Sequence, residues 1–321
     1  MAEQTTGIIR CLTGLLFMLL SQGATAATGY DPKRLGYTIQ VGAWKSEYEI
    51  MSFFVLPEQE LSISILLPDK RQVTGFRIKE GDRTQVVEGN AWNYKTPKGA
   101  GLYPLQIDIN DNKPARLNIF VMRPASEVRN GVLNGYRIGT YPKEPYKKLD
   151  IYLPPKGFVE VTKNNQDTWL SPHYQLKQFV SKQGGSFPRY VVMKTRLLRK
   201  LEFLTEVVNK KGIATSGFHI MSGYRTPYYN TLIKNKIWSR HQWGGAADIF
   251  IDEKPRDNYM DDINMDGKIN VEDSKYLASL IEAYFKNADY QPFVGGLGIY
   301  RANPAHGPFV HVDVRGFRAR W

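Results

Sequence analysis

The chain has 321 residues, 42% of them hydrophobic, which is enough for two modest domains, each with its own core. Charged residues make up 23%, an ordinary globular share, but 43 basic against 31 acidic side chains leave a net charge of +12. Such a surface attracts polyanions, yet the basic residues are scattered and the sequence carries no nucleic-acid motif, so nucleic acid is not an expected partner.

At the N-terminus, Arg10 precedes the apolar run Cys11 to Leu20, and "ATA" follows at Ala24 to Ala26. A short apolar core before a small-x-small site reads as a secretory signal, residues 1–26, and predicts export to the periplasm or cell envelope. The run is short for a membrane span, so no stable span is expected after cleavage; an uncleaved anchor is the alternative. Cys11 is the only cysteine, so the mature chain would hold no disulfide and no thiol nucleophile.

From about Ile39 to Met122 the text is strand-like. "LSISILL" (Leu61 to Leu67) begins with strict alternation, and "TGFRIKEG", "TQVVEG", "GLYPLQIDIN" and "ARLNIFVM" follow at short spacing. Turn signals separate them at Pro68-Asp69, Gly81-Asp82, Pro97-Lys98-Gly99 and Asp111-Asn112. This predicts a small antiparallel β-sandwich, Ig-like, over residues 27–123, acting as a spacer or binding module. Residues 124–170, rich in Gly, Pro, Tyr and Lys, read as a connector with extended pieces "NGYRIGTYP" and "YLPPKGFVEV".

Residues 171–321 mix helices and strands and predict an α+β domain. "MKTRLLRKLEFLTEVVNKKG" is an amphipathic helix with Leu197, Leu201, Leu204 and Val208 at helical spacing, closed by Lys210, Lys211 and the C′ glycine Gly212. "SKYLASLIEAYFKN" is a second helix, with Tyr276, Leu277, Leu280, Ile281 and Tyr284 on one face. "HIMSGYRT", "AADIFID", "GGLGIYR" and "FVHVDVRG" read as strands.

Within "SRHQWGGAADIF", His241 and Asp248 stand seven positions apart. The small residues Gly244 to Ala247 allow a tight turn and a close pass of backbone before the strand that carries Asp248. A hydrolytic metal needs few protein ligands and an open position, and His311 in "GPFVHVDVRGF" would complete two imidazoles and one carboxylate. On a strand, Phe309, His311, Asp313 and Arg315 would share a face.

"SGYRTPYYN", "SRHQWGGAADI", "GGLGIY" and "FVHVDVRG", in this order, resemble the zinc peptidases that group D-Ala-D-Ala carboxypeptidases, murein endopeptidases and the hedgehog signalling domain, nearest to the bacterial cell-wall branch. The resemblance covers roughly Ser171 to Trp321 and implies a zinc peptidase domain with an antiparallel sheet. It makes His241, Asp248 and His311 the zinc ligands and aligns Arg225 with an arginine that faces the substrate carbonyl and its oxyanion. Two positions that supply a general base in relatives hold Pro308 and Phe309 here. Asp313, on the face of His311, and His306, in the turn-rich "NPAHGP", are left as candidates, with Asp313 preferred. The implied function is hydrolysis of peptide bonds in peptidoglycan stem peptides or cross-links. The alternative is a non-catalytic binding protein that keeps a hedgehog-like zinc fold.

"DINMDGKINVED" carries oxygen-bearing side chains at loop positions 1, 3, 5, 9 and 12: Asp262, Asn264, Asp266, Asn270 and Asp273. Lys268 at position 7 would offer its carbonyl, and Gly267 sits at the sharp turn. This is the EF-hand spacing with aspartate at position 12, and it resembles dockerin loops. Calcium is expected there, as a stabilising insertion.

Overall fold

A computed structural model describes residues 29–68, 73–109 and 112–321. The predicted signal segment, with Arg10 and Cys11, lies outside the described residues, as do Asp69 and Asp111 of two predicted turns. The chain is mixed α and β, with many antiparallel sheets and few helices. Among the described residues no helix is long and apolar enough to cross a membrane.

The first nine strands are β1 (Arg34–Val41), β2 (Trp44–Tyr48), β3 (Ile50–Val55), β4 (Glu60–Leu66), β5 (Gly75–Glu80), β6 (Arg83–Glu88), β7 (Ala91–Lys95), β8 (Gly101–Asp108) and β9 (Ala115–Val121). They form two sheets, ordered β2-β1-β4-β7 and β3-β9-β8-β5-β6. Alternate residues face inward: Leu35, Tyr37, Ile39 and Val41 of β1 share one buried cluster with Leu105, Ile107, Leu117 and Ile119 of the other sheet. The predicted all-antiparallel pairing needs one correction, because β3 and β9 run parallel. Only Glu49 separates β2 from β3, so the chain switches sheets there and meets the edge of the second sheet in the direction of β9.

Short strands follow: β10 (Arg123–Pro124), β11 (Val132–Leu133), β12 (Tyr136–Arg137), β13 (Gly157–Val161), β14 (Trp169–Ser171), β15 (Tyr174–Gln175) and β16 (Arg189–Val191). The 124–170 segment has the expected extended pieces, and it packs into the C-terminal core. Leu133, Tyr136, Ile138, Phe158, Val161 and Leu170 are buried in the same core as the C-terminal helices and strands. Their apolar side chains need a partner surface, and the C-terminal sheet supplies it.

Helix α1 (Thr195–Lys210) buries Leu197, Leu201, Leu204 and Val208 as its pattern requires. It ends in a Schellman motif, with Ile213 N donating to Val208 O, Gly212 N to Asn209 O, and Gly212 at φ +84°. After it come β17 (His219–Ser222), α2 (Pro227–Leu232), β18 (Ala246–Phe250), α3 (Val271–Ala283), β19 (Gly296–Tyr300), β20 (Phe309–Asp313) and β21 (Ala319–Arg320). Helix α3 begins three residues before the predicted Ser274, because Asn270 and Asp273 form a capping box at its start. Its buried face is Ser274, Leu277, Ala278 and Ile281; Tyr276, predicted on that face, is exposed.

The last five strands form one sheet, ordered β17-β18-β20-β19-β21. Asp248 pairs with His311 across β18 and β20, and Ile249 pairs with Val310, so the two pairs point to opposite faces. Ala247, Ile249, Val310 and Val312 share the core with α1 and α3. Asp248, His311 and Asp313 are left on the other face of the central strands.

Candidate metal centre

Three elements bring the ligand atoms together. A short 3-10 helix over Arg240–Trp243 carries His241 and ends at Gly244 in the left-handed region, φ +62°. A Cβ on Gly244 would stand 2.1 Å from Val192 O, so the close backbone pass inferred from the small residues is real. The chain then enters β18, which presents Asp248 beside His311 on β20.

His241 Nε2 lies 3.1 Å from Asp248 Oδ1 and 3.2 Å from His311 Nδ1, and His311 Nδ1 lies 2.9 Å from the same Oδ1. All three residues are buried. Among the described residues this is the one group of three or more His, Cys, Asp or Glu side chains whose ligand atoms gather closely enough to hold a metal ion. Tetrahedral zinc with bonds of about 2.0–2.1 Å would space its ligands by about 3.3 Å, close to this triangle.

Hydrogen bonds behind the triangle set its tautomers. His241 Nδ1 is 2.6 Å from Gly223 O, an acceptor, so Nδ1 donates and Nε2 keeps its lone pair. His311 Nε2 is 3.2 Å from Asp313 Oδ2, so Nε2 donates and Nδ1 turns its lone pair to the triangle. With both rings neutral, two lone pairs and a carboxylate oxygen would converge, an arrangement suited to a cation that displaces the proton between His311 and Asp248. Burial lowers the His241 pKa and keeps that ring neutral. Burial would lower the His311 pKa, but its hydrogen bonds to Asp248 and Asp313 outweigh that and raise it. Burial would raise the Asp248 pKa, but the two neighbouring rings hold it well below the usual carboxylate range, so without an ion the carboxylate and the rings share protons across the triangle.

Asp313 does not stand at the triangle. It sits on the far side of the His311 ring, fully buried, and accepts from Gly296 N at 2.8 Å, Arg315 Nη2 at 2.5 Å and Arg315 N at 3.0 Å. Burial would raise its pKa, but the His311 ring and these partners hold it well below the usual range. This placement, against Nε2 and away from the triangle, suits orienting the imidazole more than acting as a general base. His306 is also away from the triangle. Its ring packs edge-on against Phe309, one strand step beyond His311, and its nitrogens meet Asn303 Nδ2 at 2.9 Å and Gly307 O at 2.7 Å.

Arg225 reaches the site. Nη2 lies 2.5 Å from Asp248 Oδ2 and Nε donates to Ser222 Oγ at 2.8 Å. The two Asp248 oxygens thus divide their partners, Oδ1 facing the imidazoles and Oδ2 holding the guanidinium.

Several residues at the site escaped sequence reasoning. Trp321 packs beside His311, ring centroids 5.2 Å apart, and donates from Nε1 to Tyr300 Oη at 2.7 Å. Gly298 makes room for it, since a Cβ there would lie 2.4 Å from Trp321 Nε1. The signal was present in "GGLGIY": glycines opposite His311 and Asp313 on the neighbouring strand mark a close approach. Lys200, on the polar edge of α1, is fully buried and donates to Asp313 O at 2.8 Å and Phe293 O at 3.1 Å; burial lowers its pKa to about 7.

In the 262–273 loop, Gly267 has φ +81° and donates to Asp262 Oδ2 at 2.8 Å; Asp266 N donates to Asn264 Oδ1 at 3.0 Å and Lys268 N to Asp266 Oδ1 at 2.9 Å. Asp273 is buried and accepts from Ile263 N at 3.0 Å and Asn270 N at 2.8 Å. Asn270 is a helix cap, its side chain accepting from Glu272 N at 2.8 Å. The Asp262 and Asp266 oxygens each accept one N–H and keep a second lone pair, so the loop aims them without consuming them, whereas Asp273 Oδ1 accepts both Ile263 N and Asn264 N.

No family model, no curated protein and no solved structure matches the chain.

Proposed function

We propose that the C-terminal part of the chain is a zinc peptidase domain that hydrolyses peptide bonds in peptidoglycan peptides. The observation that carries this reading is the buried triangle of His241 Nε2, Asp248 Oδ1 and His311 Nδ1, with both imidazole tautomers fixed from behind. Three protein ligands with N and O donors leave a fourth position for water or substrate, the stoichiometry of catalytic rather than structural zinc. Bound zinc would lower the pKa of a water and polarise a carbonyl.

The chain's own residues supply orientation. Gly223 O and Asp313 keep the rings in the ligating tautomer, and Arg315 keeps Asp313 ionised. Arg225 fixes Asp248 through Nη2, and its remaining N–H groups are suited to a substrate carbonyl oxygen at the rim. Calcium in the 262–273 loop remains part of the proposal, supported by the aimed carboxylates of Asp262 and Asp266.

The displacement of Asp313 and His306 from the triangle favours the second reading, a zinc-holding protein that binds wall peptides without cutting them. Incubating the purified full chain with murein peptides, with and without a chelator, separates the two. Cleavage that stops with chelator and returns with zinc is expected; full zinc occupancy with no cleavage selects the binding protein.

A further inference from the structure

A cleft of about 450 Å³ opens on the sheet face that carries the metal triangle, lined among others by Lys182, His219, Met221, Phe250, Met260 and His306. Phe250 stands two residues from Asp248 on β18, on the same face, so the cleft adjoins the triangle. Its lining holds no carboxylate. A pocket of this size whose lining mixes Met221, Phe250 and Met260 with polar side chains suits a small ligand or a peptide segment.

Lys182 is held at the rim by its neighbours. Phe179 O accepts from Tyr224 N at 2.9 Å, and a Cβ on Gly223 would lie 2.6 Å from Phe179 Cα, so the two segments are laid tightly together. Ser181 is buried, while Gln183 bonds Thr226 Oγ1 and donates to Arg137 O at 2.9 Å. The 179–183 segment therefore runs along 223–226, which carries Arg225. Partial burial, then the Arg225 charge, pulls the Lys182 pKa below the usual lysine range, with Asp248 pulling the other way; the three groups share one electrostatic neighbourhood.

The other charged groups near the cleft are committed. Arg225 is paired with Asp248 at 2.5 Å, and His219 faces Asp252 at 3.4 Å. Among the described residues, no carboxylate lies within ion-pair distance of Lys182. An exposed lysine on a tightly held backbone, at the mouth of a cleft without acids, is suited to an anion on the ligand.

We propose that Lys182 is the specificity-determining residue of this cleft, taking a free carboxylate of the bound peptide beside the metal centre. This rests on the peptidase reading for its choice of peptide, so its test reads binding rather than turnover. The probes are a murein stem peptide ending in D-Ala-D-Ala and the same peptide with every carboxyl amidated, titrated calorimetrically into the zinc-loaded full chain. Wild type should bind the free acid about tenfold or more tightly than the amide, as expected for one partly desolvated charged hydrogen bond. K182A should lose that preference and leave the amide's affinity unchanged, and K182R should restore part of it. Equal affinity for both peptides in wild type, no binding of either, or a preference that survives K182A would overturn the proposal. If the preference depends on Lys182 but no peptide is ever cut, the peptidase reading fails and the carboxylate site stands.

Discussion

His311 works between two carboxylates: Asp248 Oδ1 at 2.9 Å from Nδ1 and Asp313 Oδ2 at 3.2 Å from Nε2. Asp313 also receives Gly296 N and the Arg315 guanidinium, more donors than an amide with one acceptor oxygen can satisfy. Asp313→Asn should therefore weaken zinc binding by about 10- to 100-fold, with turnover on murein peptides recovering in excess zinc. A turnover loss of about 10²–10⁴-fold at full zinc occupancy would instead identify Asp313 as the proton carrier. The meeting of Asp248 and His311 is legible from residue types and strand periodicity, because periodicity decides which face a strand side chain takes; His241, on a 3-10 helix, comes from the spacing alone. Periodicity puts Asp313 on the face of His311 but does not say on which side of the ring it stands. That depends on the neighbouring strand, where Gly296 admits its carboxylate.

At the scale of elements, the helices and strands that bury one face are the most legible, since their apolar spacing is set by contact with the core. Helix α1 and the four C-terminal strands follow their patterns. The start of α3 departs from its apolar pattern, because its cap is also the end of the acidic loop: Asn270 and Asp273 belong to both. That double use gives the loop a measurable role. If the native loop takes calcium, the ion should raise the melting temperature of the full chain, and Asp262→Ala with Asp266→Ala should abolish the rise while zinc content stays the same. A native protein whose melting temperature ignores calcium would rule the ion out of the loop.

Across the whole molecule, the sandwich and the C-terminal core are joined by polar contacts that no local pattern announces. Ser52 Oγ donates to Leu170 O at 2.7 Å, Thr195 Oγ1 to Ser52 O at 2.8 Å and Tyr48 Oη to Glu206 Oε1 at 2.7 Å. The packing of the 124–170 segment is unannounced for the same reason: its core partners lie far along the chain. One of these joints is sensitive to pH. His173 Nδ1 is 2.6 Å from buried Glu202 and Nε2 is 3.1 Å from Asp31 O, so both nitrogens face acceptors and the ring is best served by its protonated form. Burial works against that charge, but the hydrogen bond and charge of Glu202 outweigh it, and the pKa is raised. A group whose folded pKa is raised stabilises fully below its unfolded value of about 6.5 and loses that contribution as pH rises through the folded value. The melting-temperature gap between wild type and His173→Gln should be largest in mild acid and narrow as pH rises; a gap that stays constant would show that the ring is neutral.

The chemistry proposed for this chain depends on one ion that His241, Asp248 and His311 would hold. X-ray absorption at the zinc edge of the zinc-loaded full chain tests this most directly. One zinc per chain is expected, in a four-coordinate shell of two imidazole nitrogens and two oxygens, with bonds of about 2.0–2.2 Å. A chain that binds no zinc, or a shell whose imidazole contribution is unchanged in His311→Ala, would contradict it.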